Sequence, residues 1–340
     1  MGLLVVILCA GLISAVAGAL LYQRVGSAAD RRAYPPPGRL LNVGGPRMHL
    51  MESGVGTPVV VLESGIAASC LNWTNIHSEI ARFTRVCSYD RASLGWSDPA
   101  GAPRVTSNLV DELHELLNVA NISGPYVLAG HSYGGMLVRA YAAKFPDEVA
   151  GLVLVDPLPA SEWMRPSEEQ ARILRWGIRL ARRGALLARL GIVRMSLTIL
   201  SAGGRSMPKL IARLSSGQAE STLSRLVGEV QKMPRETWPM IQAHWCQPKG
   251  FLGMSEYFKC LPQSAAEAAA LLEPSPKIPV VVLSASNSTP AQLAERTAMA
   301  RHSLRGRHIV AEKSGHWIHL DDPALVVDAI REMVVQARLT

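Results

Sequence analysis

Cysteine is scarce in this chain and badly spaced for metal. The five cysteines, Cys9, Cys70, Cys87, Cys246 and Cys260, fall in no ligand pattern. That excludes a zinc ribbon and a disulfide framework as organising devices; buried free thiols are expected, with Cys246 and Cys260 able to pair only in an oxidising compartment. Charge is thin as well, at 18% of residues against 48% hydrophobic, and no stretch has the polar composition of a disordered segment. At 340 residues the chain can bury a substantial core, as one large domain or one with an insertion. Acidic residues are the minority, 27 against 35 Lys and Arg, for a net charge of +8. A field of that sign raises the question of nucleic acid, yet no nucleic-acid-binding motif accompanies it, so nucleic acid is not among the expected partners.

The start of the chain lacks charge altogether. Leu3 to Tyr22 has no charged side chain, and Arg24, Arg31 and Arg32 follow; such a run is long enough to cross a bilayer core as a helix. Residues 1–23 are therefore expected to form a single membrane anchor, with a single-pass membrane location. A cleaved signal sequence, which would leave a secreted protein, is the alternative. Ala17-Gly18-Ala19 offers a small-residue cleavage pattern, but no basic residues precede the apolar run. Arginines placed after the span would leave the bulk of the chain cytoplasmic. Residues 24–38, ending in Tyr34-Pro35-Pro36-Pro37-Gly38, read as a stiff Pro-rich linker.

Beyond the linker, short apolar runs alternate with helical periods. Val59–Leu62, Val86–Tyr89, Val127–Ala129 and Leu152–Val155 are separated by helix patterns near Cys70–Arg82, Ser107–Ala120 and Met136–Tyr141. Alternation of this kind implies an α/β fold, a mostly parallel central sheet flanked by helices. After Pro157 the rhythm changes to arginine-rich helices broken by Gly203-Gly204 and by prolines. It resumes with Ile278–Leu283, a helix near Ala291–His302, Arg307–Ala311 and a last helix from Pro323 to about Ala337. The chain thus divides into a first core part at 39–157, a helical cap or lid at 158–277 and a second core part at 278–340. An insertion leaving a sheet strand sits over its carboxyl edge, where ligands bind.

Chemistry enters at Tyr126-Val127-Leu128-Ala129-Gly130-His131-Ser132-Tyr133-Gly134-Gly135, where a serine stands between two glycines as a strand gives way to a helix. So sharp a turn holds Ser132 in a strained conformation with its hydroxyl presented, and side chains at Gly130 and Gly134 would collide with neighbouring backbone. Serine needs a base to take its proton and a third group to orient that base. His316, in Ser314-Gly315-His316-Trp317-Ile318-His319-Leu320-Asp321 between the last strand and the last helix, fits the base. His319 is expected at the surface and His131 in a packing role.

These motifs, with Leu62-Glu63-Ser64-Gly65-Ile66 and Ser88-Tyr89-Asp90-Arg91-Ala92-Ser93-Leu94-Gly95-Trp96-Ser97, resemble the α/β-hydrolase superfamily. The resemblance covers nearly everything outside the anchor and the insertion. It implies an oxyanion hole built from the backbone N–H groups of Ile66 and Tyr133, worth a few kcal/mol each. This chain has Ser64-Gly65 where the family often shows His-Gly, a change that a backbone donor tolerates. Relatives usually carry their acid just after the penultimate strand, but Val280 to Thr289 offers no carboxylate there. Asp156, ending the strand after the elbow helix, is the expected acid; the alternative leaves Asn287 to orient His316, or a dyad. Asp90 and Arg91 are expected to form an ion pair or to brace loops, and Trp73 and Trp96 to line or support the pocket.

The excess of positive charge lies in the insertion: Arg165, Arg172, Arg175, Arg179, Arg182, Arg183, Arg189, Arg194, Arg205, Lys209, Arg213 and Arg225 face few acids. They alternate with Leu174, Trp176, Ile178, Leu180, Leu186, Leu187 and Leu190 at helical spacing. Such a helix suits a lid on an anionic bilayer, or equally a solvated helix face above an apolar pocket. Together these readings describe a membrane-anchored serine hydrolase cleaving an apolar or lipid-like carboxylic ester, with neither metal nor organic cofactor. A cofactor-free haloperoxidase or perhydrolase-like activity, or a binding protein on the same fold, stays open as an alternative.

Overall fold

The structure, a computed structural model, describes residues 2–201, 232–271 and 273–339. Its sheet is built from β1 (Arg39–Asn42), β2 (Arg47–Ser53), β3 (Val59–Glu63), β4 (Val86–Asp90), β5 (Tyr126–His131), β6 (Val149–Val155), β7 (Val280–Ala285) and β8 (Arg307–Ala311). The spatial order is β1-β2-β4-β3-β5-β6-β7-β8. β1 and β2 are antiparallel at one edge, and the rest run parallel. Every residue of β3, β5 and β7 is buried, as strands covered on both faces require. Alternation along them divides the core. Val60, Leu62, Val127 and Val153 meet the helices Thr74–Ala81 and Pro323–Arg338 on one face. Val59, Val61, Leu128 and Leu152 meet Thr106–Val119 and the elbow helix Tyr133–Lys144 on the other.

The first helix departs from the expected division of the chain. It runs from Gly2 to Ala33 rather than stopping at residue 23, so most of the expected linker is helical. Nothing between Gln23 and Ala33 breaks a helix until Pro35, and Gln23, Ser27 and Asp30 find partners on the cap, described below. The stiff connection is confined to the segment around Pro35–Pro37, held to the core where Trp96 Nε1 donates to the Tyr34 carbonyl at 3.0 Å.

Between β6 and β7 the described cap consists of the helices Ala160–Trp163, Glu168–Arg189, Ile192–Ser201, Trp238–Trp245 and Pro248–Ala270. A capping box of Ser167 and Gln170 starts the second of these. Gly177 and Gly184 then open a channel on one of its faces. A Cβ at Gly177 would lie 3.2 Å from the Phe258 ring, and one at Gly184 would lie 2.6 Å from that of Phe251. Two glycines seven residues apart thus receive two phenylalanines seven residues apart, which joins the two long cap helices and turns the arginines outward. Gly203-Gly204, with Arg205, Lys209, Arg213 and Arg225, lie outside the described residues.

Candidate active site

Ser132 sits at the turn between β5 and the elbow helix with φ 55° and ψ −119°, a conformation costing of order 1–3 kcal/mol that its surroundings impose. A Cβ at Gly130 would be 2.5 Å from the Gly134 carbonyl oxygen, and one at Gly134 would run into the Glu63 carbonyl. The backbone of Ser132 is fixed: its N–H donates to the Val155 carbonyl at 3.0 Å, and its carbonyl accepts from Gly135 and Leu158 at 2.9 Å each. Its hydroxyl, by contrast, has no hydrogen bond among the described residues.

Asp156 follows β6, the strand beside β5, and adopts φ 45°. Its Oδ2 lies 2.6 Å from His316 Nδ1. Its Oδ1 accepts from the Ala285 N–H at 2.8 Å and meets Arg296 Nη1 at 2.7 Å. Since a carboxylate only accepts, the His316 Nδ1 carries a proton toward it, and in the neutral imidazole the lone pair is then on Nε2. The imidazole side chain is 45% exposed, whereas Asp156 is 6% exposed. Asn287 is exposed and has no hydrogen bond to His316 among the described residues. Of the two groups considered as partners for His316, the structure sets Asp156 against it.

The loop carrying His316 is tied down at three points. Ser286 donates to the Ser314 carbonyl through its N–H at 3.0 Å and its hydroxyl at 2.9 Å. Gly315 donates to Asp321 Oδ2 at 2.9 Å, and His131 Nε2 donates to the His316 carbonyl at 2.8 Å. His131 therefore does more than fill space, because it fastens the His316 backbone to the residue preceding Ser132. The two rings stand 4.7 Å apart. His319, expected at the surface, is instead 1% exposed, its ring 4.5 Å from that of His131 and 4.6 Å from that of Trp73. Burial holds both imidazoles below their ordinary range, that of His319 at about 3.

The segment after β3 completes the surroundings. Arg91 and Glu63 are 3.0 Å apart and both buried. Arg91 also donates to the Ser64 carbonyl at 3.1 Å and to that of Gly65, so its guanidinium shapes the turn that presents Ile66. Burial pushes the Glu63 carboxyl up, against the pull of Arg91 and of the Tyr89 hydroxyl that bonds to it. A Cβ at Gly65 would lie 2.9 Å from His131 Nδ1, which accounts for glycine there. Neither the Ile66 nor the Tyr133 N–H has an acceptor among the described residues. Asp90 and Arg91 brace loops but do not pair with each other. Asp90 takes His49 at 2.9 Å and the N–H groups of Cys70 and Trp96 at 2.8 and 3.0 Å.

His49, Cys70 and Asp90 bring three metal-capable atoms within 4.8 Å of one another. Their hydrogen bonds already engage them. His49 Nε2 accepts from the Gly38 N–H at 3.2 Å, so Nδ1 is the donor toward Asp90 and has no lone pair for a cation. Burial and the neighbouring Asp90 keep the Cys70 thiol protonated.

Above Ser132 the layer between core and cap is apolar. Ile66, Leu158, Trp163, Met164 and Phe258 are partly buried against Leu94, Tyr133, Met136, Leu174 and Tyr257. Met136, Ala160 and Met164 also line a cavity of about 330 Å³, together with Arg139, Glu273 and Glu295, but none of Ser132, Asp156 and His316 lines it.

Comparison with known proteins fits this geometry. A family model described as alpha/beta hydrolase fold matches residues 58–323. An AB hydrolase superfamily protein of Gibberella zeae is 34% identical over 103 residues, 29% of this chain and 32% of that one. A 2-hydroxy-6-oxo-2,4-heptadienoate hydrolase of Pseudomonas putida is 31% identical over 128 residues, 36% of this chain and 46% of that one. The chain thus pairs with less than half the length of these curated relatives. Among solved structures, a thermophilic esterase from Thermogutta terrifontis superposes with a TM-score of 0.54 at 22% identity, covering 86% of this chain and 94% of that one. An elbow serine at the end of a parallel strand, a cap inserted after the next strand and a family match across residues 58–323 lead to one conclusion: the chain belongs to the α/β-hydrolase superfamily.

Proposed function

We propose that this protein is a membrane-anchored serine hydrolase that cleaves carboxylic esters with an apolar acyl or alcohol part, through an acyl-enzyme on Ser132. The observation that carries the reading is the 2.6 Å contact between His316 Nδ1 and Asp156, which leaves Nε2 as a proton acceptor on a loop fastened beside Ser132. In the first half-reaction Ser132 Oγ attacks the ester carbonyl carbon while His316 Nε2 takes its proton. The carbonyl oxygen becomes an oxyanion, received by the free N–H groups of Ile66 and Tyr133. Collapse breaks the C–O bond, and His316 gives its proton to the departing alkoxide. Water, deprotonated by the same nitrogen, then attacks the acyl-enzyme and releases the acid and Ser132. Asp156 holds the imidazole in the required tautomer and offsets its charge once protonated. An apolar substrate is supported by the layer of Ile66, Leu158, Trp163, Met164 and Phe258 under the cap. The span reading rests on the first helix, which is long and apolar enough to cross a membrane.

A fluorophosphonate probe and p-nitrophenyl esters of rising chain length test this reading. The wild type is expected to label and to turn over, preferring longer acyl chains over acetate; Ser132→Ala is expected to do neither. Labelling without turnover of any ester would favour a binding protein, and unchanged labelling of Ser132→Ala would remove the nucleophile.

A further inference from the structure

The first helix is locked to the cap by a buried polar cluster. Arg194, on the cap helix Ile192–Ser201, donates to Gln23 Oε1 at 3.1 Å, Ser27 Oγ at 3.4 Å and Asp30 Oδ2 at 2.6 Å. Gln23 Nε2 in turn donates to the Cys246 carbonyl at 2.7 Å, and Gln247 Nε2 donates to Ser27 Oγ at 3.2 Å. Gln23, Ser27 and Arg194 are each less than a tenth exposed. Glycine is used twice to bring the elements this close. A Cβ at Gly26 would lie 2.5 Å from Arg194 Nε, and one at Gly191 would lie 2.6 Å from the Tyr22 ring. A charged pair largely shielded in this way, with the Arg194 and Asp30 side chains 11% and 19% exposed, resists separation, since breaking it would strand a charge. The helix is therefore a structural part of the cap, and it fixes where the cap stands relative to the apolar stretch ahead of Gln23.

Tyr22 closes that apolar stretch, a position where an aromatic ring marks the interface of a membrane span. The cap turn at Gly191 touches Tyr22, which sets the adjoining cap surface beside the end of the apolar stretch, at headgroup level when the helix spans a bilayer. That surface is not built for water. Ile192, Met195 and Ile199 recur at helical spacing with exposures of 38%, 51% and 41%, and Leu186 and Leu187 just before them are also exposed. Arg182, Arg183 and Arg189 stand exposed among them. A solvated helix face would carry polar residues at these apolar positions, whereas arginines flanking an exposed apolar strip suit phosphate groups above acyl chains.

From this arrangement we infer that the cap docks on the surface of an anionic bilayer, inserting Leu186, Leu187, Ile192 and Met195 at the acyl boundary with Arg182, Arg183 and Arg189 on lipid phosphates. The inference rests on reading the first helix as a membrane span, and it extends the proposed function by bringing the apolar layer above Ser132 up to the lipid.

The test uses the full chain carrying Cys9→Ser and Leu187→Cys. Cys70, Cys87, Cys246 and Cys260 are buried, so an environment-sensitive dye reports from position 187. Protein is reconstituted in nanodiscs of phosphatidylcholine alone and of an equal mixture with phosphatidylglycerol. The emission is expected to be blue-shifted in the mixed discs, less so in the neutral ones, and to return toward the neutral value as salt rises. Adding Arg182→Gln, Arg183→Gln and Arg189→Gln is expected to lower the docked-to-free ratio on the order of a hundredfold. Equal emission in both kinds of disc, or no effect of the triple substitution, overturns the proposal. A shift that follows protein concentration instead of lipid charge overturns it in favour of a second copy on this face. Flotation with vesicles after carbonate washing and fluorophosphonate labelling of the same samples separate the three readings. Loss of flotation removes the span and the docking with it. Loss of labelling alone removes the hydrolase reading and leaves the docking to the dye.

Discussion

Replacing Asp156 by asparagine probes the arrangement at its narrowest point. Oδ1 of Asp156 faces two donors, the Ala285 N–H at 2.8 Å and Arg296 at 2.7 Å. In the Asp156→Asn variant the amide oxygen must take that place, because an NH₂ there would face two N–H groups. The NH₂ then occupies the site of Oδ2, 2.6 Å from His316 Nδ1. Two donors cannot share that contact, so Nδ1 gives up its proton and becomes the acceptor, and the proton moves to Nε2, where the base needs its lone pair. Forcing the wrong tautomer lowers kcat by about 10⁴ in a serine triad, with little change in KM. Arg296 would also lose its carboxylate while keeping the Ser288 hydroxyl at 2.7 Å and the Pro157 carbonyl at 3.2 Å. A stability loss of up to about 3 kcal/mol is therefore expected beside the rate effect. Initial rates on p-nitrophenyl butyrate, normalised to correctly folded protein by near-UV circular dichroism, give the first number, and urea midpoints give the second. Asn287→Ala is expected to change kcat less than twofold. A folded Asp156→Asn variant retaining a tenth or more of the wild-type kcat, or an Asn287→Ala variant losing more than Asp156→Asn, would refute the reasoning.

Other perturbations test separate parts of the structure. Arg91→Met should leave Glu63 buried without its cation, at a cost of roughly 3–5 kcal/mol, and should release the Ser64 and Gly65 carbonyls. Adding Glu63→Gln is expected to recover most of the urea midpoint but not kcat, which falls about a hundredfold if the Ile66 amide moves; recovery of both would mean that Arg91 serves stability alone. Acid should unfold the protein through its buried imidazoles. Burial holds His77 at about 4 and His319 at about 3, against an ordinary 6.5, so below pH 6.5 the unfolded chain binds protons that the folded chain does not. Their contribution is complete above pH 6.5 and declines as pH falls toward 4, reaching a loss of about 2 kcal/mol per histidine at pH 5. Urea titrations of wild type and His77→Leu at pH 7 and pH 5 should show their difference shift by that amount in favour of the variant, and a pH-independent difference would contradict the assignment.

The parts of this fold legible in the sequence are those whose cause is local. β3 to β7 announce themselves as short runs of mostly apolar residues because both faces are covered, with Ser88 interrupting β4, and Gly130-His131-Ser132-Tyr133-Gly134 is its own steric signature. β1 and β2 are not discernible: β1 is a four-residue edge strand carrying Arg39 and Asn42, and β2 carries Arg47, His49 and Glu52 among a few apolar residues, its ordering dependent on pairing to β1 and β4. The extension of the first helix to Ala33 and the burial of Arg194 are one event seen from two ends. Each needs a partner more than 160 residues away, which no periodicity reveals. The same holds for His319, whose burial depends on Trp73 and His131 arriving from other segments.

The position of the acid follows from what the end of β7 is used for. Relatives that the sequence resembles usually carry a carboxylate there; this chain has Ser286, which donates twice to the Ser314 carbonyl and so carries the His316 loop across the sheet edge. A loop held that close to β7 brings its imidazole toward β6. Neighbouring strands are about 4.8 Å apart, so a carboxylate at the end of β6 lies one strand nearer the elbow than one after β7. β7 still takes part, through the Ala285 N–H on Asp156 Oδ1 and the Leu283 carbonyl that accepts from Asp156 N–H at 2.7 Å. Arg296, on the helix after β7, supplies the remaining contact to Oδ1. The absence of an acid after β7 and the presence of Asp156 after β6 are therefore coupled. Moving the carboxylate back, by Asp156→Asn with Asn287→Asp, is expected to leave kcat within tenfold of Asp156→Asn alone, because Asn287 is exposed and, among the described residues, has no hydrogen bond to the His316 loop, which is tied instead through Ser286. Restoration of kcat to near the wild-type value in that double variant would show the loop free to follow its acid, and would remove Ser286 as the reason for the placement.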